Sequence, residues 1–437
     1  MIKVCKFGGS SLANAKQYRK IKKIVKEEEE RKIIVVSACG KESRDDHKVT
    51  DLLYLCLAHK QYGMSYDDIL KEIEDKHQRI IKELKLDYDI KKDIVRIRQL
   101  LDKKANSDEI IAYGEYLSAR LMALYLKADF VDARDVICFN YDGSLNIEKT
   151  REKFLPYLKS RNKIVVPGFY GSLPNGVIKT MSRGGSDITG SVLANVVEAD
   201  VYENWTDVSG IYVCDPRIIR DPKQIETITY AELREMSYMG ASVLHDESIY
   251  PVKEKGIPIN IRNTNKPEDR GTMIVAACED KKNIGPITGI TGKKDFVVIS
   301  IAKINSSSEV GFLKKILEVF ENYDVSVVLV TTGIDSFSII GAQEDVRNNM
   351  YEIANEIKVS LKCEDVSLYD NLSLVCVVGR GMRAKKGISG RIFSLLGENG
   401  INIRTISQGA DEISIIVGVD DENYAKTISC IYERFVK

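Results

Sequence analysis

The amino-acid sequence predicts an α/β protein: a domain on a mainly parallel sheet, then two ferredoxin-like βαββαβ units. Three observations predict it. The chain opens with strand, glycine turn, helix and strand, the start of a parallel α/β sheet. Residues 65–127 carry apolar side chains at helical spacing, a helical excursion from that sheet. An internal repeat with an offset of 76 residues fills the C-terminal third.

The first strand, 2–7, runs into Gly8-Gly9-Ser10-Ser11. A helix over 15–30 follows, with Tyr18, Ile21, Ile24 and Val25 on its apolar face, and 32–38 is a buried strand. In the excursion, Ile69, Leu70, Ile73, His77, Ile80, Ile81 and Leu84 share one face, and Ile90, Ile94, Ile97 and Leu101 resume it. His77 lies on that stripe and reads as a packed helix histidine, not a ligand. Strands return at 130–132, 164–167 and 201–204, with helices at 148–159 and 186–198. The polar run 277–286 ends in Gly-Pro and reads as a linker, so the sheet domain spans 1–283.

In the repeat, Gly311-Phe312-Leu313 aligns with Gly387-Ile388-Ser389, Gly333 with Gly409, Asp335 with Asp411 and Ser338 with Ser414. Each copy reads strand, helix, strand, strand, helix, with strands 297–304 and 372–378 before the two glycines. The second copy ends in a helix and lacks its last strand. The spare strand 286–291 supplies it. The first unit, 294–366, is then inserted within the second, 285–292 plus 370–437, as an intertwined pair.

Composition narrows the function. The chain has 437 residues with 64 Lys+Arg and 64 Asp+Glu, a balance that disfavours nucleic acid but allows an anionic small substrate. Hydrophobic residues are 44% and charged residues 29%, an ordinary folded composition. The strongest apolar run, 325–330, has strand length, which predicts no membrane span. No signal-peptide core is present, and the nine cysteines are scattered without a Cys-x-x-Cys pair, as expected of reduced thiols in a cytoplasm. The four histidines, at 47, 59, 77 and 245, show no metal-ligand spacing, against a zinc site or a Ser-His-Asp hydrolase.

Several motifs could carry chemistry. Lys6-Phe7-Gly8-Gly9 leaves a strand and enters a helix; its amides and the Lys6 ammonium suit phosphate, or simply a tight βα turn. Arg183-Gly184-Gly185-Ser186-Asp187 precedes an apolar helix; Arg183 suits a carboxylate, while Ser186 or Asp187 can equally be an N-cap. Trp205-Thr206-Asp207-Val208 ends a parallel strand, where ligand crevices lie, although the lone tryptophan can equally be core. Asp215-Pro216-Arg217 is also a turn signal. Gly114-Glu115 opens a helix, where Glu115 also suits the dipole; Ser37 and Thr50 offer hydroxyls or caps. Gly379-Arg380-Gly381 imitates a dinucleotide fingerprint, but it sits inside the repeat and the following strand lacks the acid.

Together these motifs resemble the aspartate kinase family. Val4-Cys5-Lys6-Phe7-Gly8-Gly9-Ser10-Ser11-Leu12 is similar to its signature, and Arg183-Gly-Gly-Ser-Asp187, Trp205-Thr-Asp-Val208, Gly210-Ile-Tyr212 and Asp215-Pro-Arg217 follow in order. The tandem repeat resembles paired ACT domains, amino-acid-sensing modules. The resemblance implies a three-layer αβα amino-acid-kinase-like domain and transfer of the ATP γ-phosphoryl group to the side-chain carboxylate of L-aspartate. It implies Lys6 and Asp187 as catalytic residues. Lys6, Phe7, Gly8, Gly9, Thr206, Asp207, Tyr212 and Arg217 would meet ATP. Ser37, Thr50, Glu115, Arg183, Gly184, Gly185 and Ser186 would surround aspartate, with Arg183 on its α-carboxylate and Glu115 on its α-ammonium. Asp187 would orient Lys6 or the Mg2+ that accompanies ATP; no side-chain motif for a metal is present. Gly311, Phe312, Leu313 and Val327 would meet an effector amino acid, lysine first, with threonine open. A homodimer or dimer of dimers through the ACT domains is the expected assembly.

Two departures stand out. Ser242 replaces the lysine of the family's Gly-Ala-Lys-Val pattern, and His245-Asp246 stands where proline is frequent. Val328 occupies a position where some lysine-sensitive relatives have an acid. Two other readings are set against the leading one: another superfamily kinase acting on a different acceptor, and an inactive kinase-like sensor.

Overall fold

The structure, a computed structural model, describes residues 1–103, 105–159, 162–182, 184–241, 244, 246–278 and 285–437. The chain forms two compact units. The first comprises Met1–Ile211, Glu226–Tyr230 and Ser242–Cys278; the second comprises Tyr212–Ile225, Ala231–Ala241 and Glu279–Lys437. The segments 212–225 and 231–241, which the sequence pattern leaves in the first domain, thus belong with the second unit. Ser242, Val243, His245 and most of the expected linker lie outside the described residues.

The first unit holds β1 (Lys3–Phe7), β2 (Arg31–Val36), β3 (Asp129–Phe130), β4 (Ile164–Pro167), β5 (Tyr170–Ser172), β6 (Ile178–Thr180), β7 (Val201–Thr206), β8 (Thr227–Thr229), β9 (Ile259–Asn263) and β10 (Thr272–Val275). Among the described residues its main sheet runs β3-β4-β2-β1-β7-β9-β10-β8. Pairing is parallel except between β9 and β10. β5 and β6 form a separate hairpin that periodicity does not reveal. Helices Ala15–Glu27 and Gly185–Val196 flank the sheet strands in sequence, and Val49–Gln61, Asp67–Leu84, Lys91–Asp102 and Tyr113–Leu126 make up most of the helical part.

Physical reasons explain the shifted boundaries. β2 starts at Arg31 because that side chain is buried and donates to Glu203 on β7 at 2.8 and 3.2 Å, so a charged residue belongs to the strand. The helix expected over 148–159 ends at Phe154 and tightens into a 3-10 turn over Leu155–Lys159, where Pro156 lacks an N–H. Phe7, Ile34, Val36 and Trp205 from the central strands share a core with Ile73, Ile80, Ile97, Leu117 and Leu121 of the helices. No helix among the described residues is long and apolar enough to cross a membrane.

The second unit holds β11 (Gly289–Ala302), β12 (Leu329–Thr332), β13 (Ser336–Ala342), β14 (Asp365–Val378), β15 (Thr405–Gln408) and β16 (Ser414–Asp420) in one antiparallel sheet, β12-β13-β11-β14-β16-β15. β11 and β14 each serve both repeats. Phe296 to Ala302 pair with β13, while Gly289 to Lys293 pair with Leu374 to Val378 of β14. The first part of β11 is the strand that the second repeat lacks. Asp295 (φ 64°) and Asn371 (φ 58°) sit where these strands pass from one repeat to the other, and the ladder slips there. Helix Phe312–Asn322 and helix Ile388–Glu398 begin 76 residues apart, each after a glycine with φ near 80°, Gly311 and Gly387.

Candidate active site

β1 places Lys6 two residues before Gly8, in register with Val35 of β2 and Asn204 of β7. Its carbon stem is buried and its Nζ lies 2.6 Å from Asp187 Oδ1. Asp187 comes from the first turn of helix Gly185–Val196. Asn204 Nδ2 donates to the same Oδ1 at 2.7 Å, and the Tyr202 hydroxyl donates to the Asp187 carbonyl at 3.1 Å. Strand alternation thus sends Tyr202 and Asn204 towards this helix. Glu203 and Trp205 take the other face, where Trp205 Nε1 donates to Glu203 at 2.9 Å and the indole stacks on Phe7. Trp205 is fully buried, a core residue.

The ends of β1, β2, β4 and β7 converge on a cleft of about 890 Å³. Lys6, Gly8, Gly9, Ser37, Thr50, Glu115, Gly184, Gly185, Ser186, Asp187, Thr206 and Asp207 all line it. Phe7 lies buried in the core beneath. Two glycine turns shape the floor. Gly40 passes so close to the first that an added Cβ would sit 2.5 Å from the Gly9 backbone, and the Gly40 amide donates to the Gly9 carbonyl at 3.0 Å. Gly184 holds φ 79° as the cap of its helix, a conformation other residues adopt at a cost. The first turn leads into a short 3-10 helix, Gly9–Leu12, and the second into helix Gly185–Val196, whose N-terminus favours anions.

Glu115 lies in the first turn of helix Tyr113–Leu126 and is almost wholly buried. Burial pushes its carboxyl up to about 8, against the pull of the Ala38 backbone hydrogen bond and of Lys6. Its Oε2 has no hydrogen-bond partner among the described residues. Cys39, also in the cleft wall, is a buried thiol that burial pushes up to about 12, so it is inert at neutral pH.

The remaining expected residues fall elsewhere. Tyr212 and Arg217 belong to the second unit, where Arg217 Nη2 lies 2.6 Å from Asp215. Arg183 lies outside the described residues. In the second unit Phe312 is a core side chain against Phe337, its ring centroid 5.2 Å away, so only its backbone would face an effector. The Phe312 amide donates to the Glu309 carbonyl at 3.2 Å. Leu313 and Val327 are partly buried against the same core. The Val328 amide donates to Ile340.

Sequence reasoning missed Phe169, Met181, Ser182, Lys41 and Lys48, which also line the cleft. Phe169 is held at φ 75°, a strained backbone for a bulky residue. Its amide donates to Thr189 and its carbonyl accepts from Met181. The one local signal is Gly168-Phe169 directly after β4. Behind the first glycine turn, Ser11 and Thr264 share a buried hydroxyl hydrogen bond of 2.8 Å, and the Thr264 amide donates to Thr206, a brace visible only once β9 lies beside β7.

A cleft at the strand ends, with two glycine-turn anion cradles and a lysine-carboxylate pair between them, defines a phosphotransferase-type site on an α/β sheet. A model of the amino acid kinase family matches residues 1–263, and an ACT domain model matches 375–435. The chain is 36% identical to aspartokinase 3 of Bacillus subtilis, covering 99% of this chain and 98% of that one. It aligns with the crystal structure of Clostridium acetobutylicum aspartate kinase at 46% identity and a TM-score of 0.93, over 99% of each chain. It also aligns with E. coli aspartokinase III in complex with lysine and aspartate at 25% identity and a TM-score of 0.78, over 100% of each chain. The chain belongs to the aspartokinase branch of the amino acid kinase family and is an aspartate kinase with ACT domains.

Proposed function

We propose that the protein transfers the γ-phosphoryl group of Mg-ATP to the side-chain carboxylate of L-aspartate, giving 4-phospho-L-aspartate and ADP. This would be the first step towards lysine, threonine and methionine, in the cytoplasm. The observation that carries the reading is the Lys6–Asp187 pair between two glycine turns, in the same cleft as Glu115. A carboxylate is already a nucleophile, so the reaction needs no strong base; it needs two anions brought together in line. Lys6 would neutralise charge on the moving phosphoryl group, and Asp187 and Asn204 would hold Lys6 in place before ATP arrives. The Gly8-Gly9 turn would take phosphate oxygens. Glu115 would receive the α-ammonium, while Ser37, Thr50 and the 184–186 turn would meet the rest of aspartate, with Arg183 on its α-carboxylate. Thr206 and Asp207 would meet the nucleotide.

Four carboxylate residues line the cleft, Asp51, Glu115, Asp187 and Asp207, and of these Asp187 and Asp207 would suit a magnesium ion held chiefly by phosphates. When bound, the ion would neutralise phosphate charge. The effector reading is lysine at the start of helix Phe312–Asn322, where Gly311 sets the first turn and helix N-terminal amides suit a carboxylate. The E. coli relative in complex with lysine supports it. The assembly would be a homodimer or a dimer of dimers through the ACT sheets.

A hydroxamate assay of acyl phosphate formation tests the reaction. Aspartate should give product and glutamate little; no aspartate-dependent product would overturn the reading. Adding lysine or threonine, singly and together, to the same assay identifies the effector.

A further inference from the structure

Helix Asp67–Leu84 buries a stripe of Leu70, Ile73, His77, Ile80 and Ile81, and beside it a lysine. Lys76 is only 4% exposed. Buried ammonium groups are rare and costly unless paired. Here the pairing is complete in kind: Nζ lies 2.6 Å from Asp46 Oδ1 and 2.6 Å from the His47 carbonyl. Neither partner is on the helix. Both belong to the segment 41–48, which is otherwise solvent-exposed apart from the half-buried Asp46.

Asp46 is the knot of that segment. Its carboxylate accepts from the Glu42 amide at 2.7 Å and from the His47 amide at 2.9 Å while holding Lys76. Burial would raise its carboxyl, but Lys76 and the two amides outweigh this and hold it below the usual range. One helical turn before Lys76, Glu72 meets His47 Nδ1 at 3.1 Å, a second and exposed tether. The base of the loop is closed by the Val49 amide donating to the Cys39 carbonyl at 3.0 Å. The ends of the segment are the part that matters for chemistry: Lys41, Lys48 and the following Thr50 line the cleft, and Gly40 abuts the Gly9 turn.

We propose that Lys76 is a positioning residue for the acceptor substrate: its buried ammonium pins segment 41–48 to the helix and so sets Lys41, Lys48 and Thr50 on the cleft wall. This rests on reading the cleft as the aspartate and ATP site. The pinned loop carries two cations to the mouth of a site whose substrates are both anions. Without the pin, the loop keeps its base but loses its fixed course between Gly40 and Val49, and the acceptor loses oriented contacts, whereas the phosphate turn at Gly8-Gly9 keeps its own backbone.

The test is steady-state kinetics on the full chain, with KM for aspartate and for ATP measured separately. Lys76→Met keeps the packed stem and removes the charge. It should raise KM for aspartate about tenfold while KM for ATP changes less than twofold and kcat falls less than threefold. Asp46→Ala should do the same, and the double variant should be no worse than the poorer single one, because both cut one link. If Lys76→Met does not fold, Asp46→Ala decides by the same split. An unmoved KM for aspartate, or an equal loss in both substrates with a lowered melting temperature, would overturn the proposal by making Lys76 a stabilising residue only. If the parent forms no aspartyl phosphate, the reading of the cleft fails first and the positioning role falls with it; an active parent with an unmoved variant sinks the positioning role alone.

Discussion

Glu115 has a usual carboxyl value of 4.5 and a folded value of about 8, raised chiefly by burial. The neutral acid is therefore the form the folded chain prefers, and its contribution to stability is present below 4.5 and lost as pH rises through 8. An aspartate α-ammonium placed on Glu115, as proposed, would favour the ionised form, so that binding below pH 8 would release a proton. KM for aspartate should fall as pH rises from 6 to 8, by up to about tenfold per unit, and level off above 8. Glu115→Gln should raise KM and flatten that profile; a profile that keeps its slope in the variant assigns the proton elsewhere. Lys6→Ala and Asp187→Ala should each cut kcat by at least about a hundredfold, as loss of a charge-stabilising group does, with lysine binding by calorimetry little altered. Residues carried by local signals were legible: Lys6, Gly8 and Gly9 from a glycine turn at a strand end, Glu115 and 184–187 from glycines that open helices, and the structure brings them to one cleft. Asn204 and Lys76 were not, because Asn204 acquires its role through the β1–β7 register and Lys76 through a loop 30 residues earlier in the chain.

At the scale of elements, repetition was the most legible feature. The 76-residue offset predicted two helices that start on glycines of matching backbone, and a missing strand that had to come from before the first copy. What stayed hidden has a common cause. Helix Val49–Gln61 buries Val49, Leu52, Leu53 and Cys56, but the exposed Tyr54 and Leu55 blur that face in the sequence, and the hairpin β5–β6 is too short for an alternating pattern. His77 was readable as a packed residue, and the helix gives it a measurable consequence. It is fully buried, its Nδ1 donates to the Ile73 carbonyl at 2.8 Å, and burial pulls it from 6.5 to about 4. The folded value is the lower one, so the unfolded chain takes the proton first, and stability held above 6.5 is lost as pH falls towards 4. Between pH 7 and 4.5 this residue should cost about 2.5 kcal/mol. Urea denaturation at the two pH values should show His77→Leu losing that much less than the parent. Equal losses would mean that His77 is protonated in the folded state.

At the scale of the whole molecule, the chain's order and its packing disagree, and that governs how regulation can be dissected. A cut at residue 283 looks from the sequence like the removal of a sensor. The second unit, however, includes 212–225 and 231–241, and it holds them tightly. Glu232, fully buried, receives Arg380 Nη1 at 2.7 Å, the Arg380 amide at 2.9 Å and the Thr288 hydroxyl at 2.6 Å. The Ile290 amide donates to the Val213 carbonyl, the Tyr432 hydroxyl accepts from the Lys223 amide, and Thr291 bonds the Met239 carbonyl. Met236 lies so close to Gly289 that a Cβ there would meet its sulfur. Cutting at 283 removes every one of these partners at once. It would expose Met236 and Met239, at roughly 1.5–3 kcal/mol each, and would leave Tyr212 and Arg217, the expected nucleotide contacts, on segments without their packing. The shortened chain should therefore melt at a lower temperature than the first transition of the full chain and lose aspartate kinase activity, rather than emerge active and insensitive to lysine. Differential scanning calorimetry beside the hydroxamate assay decides it: a soluble shortened chain with the parent's kcat would show that 212–241 folds without the repeats. If activity is lost as expected, regulation has to be dissected by single substitutions within 285–437, because that stretch also supplies Thr288, Thr291, Arg380 and Tyr432, the partners that hold 212–241 in the second unit.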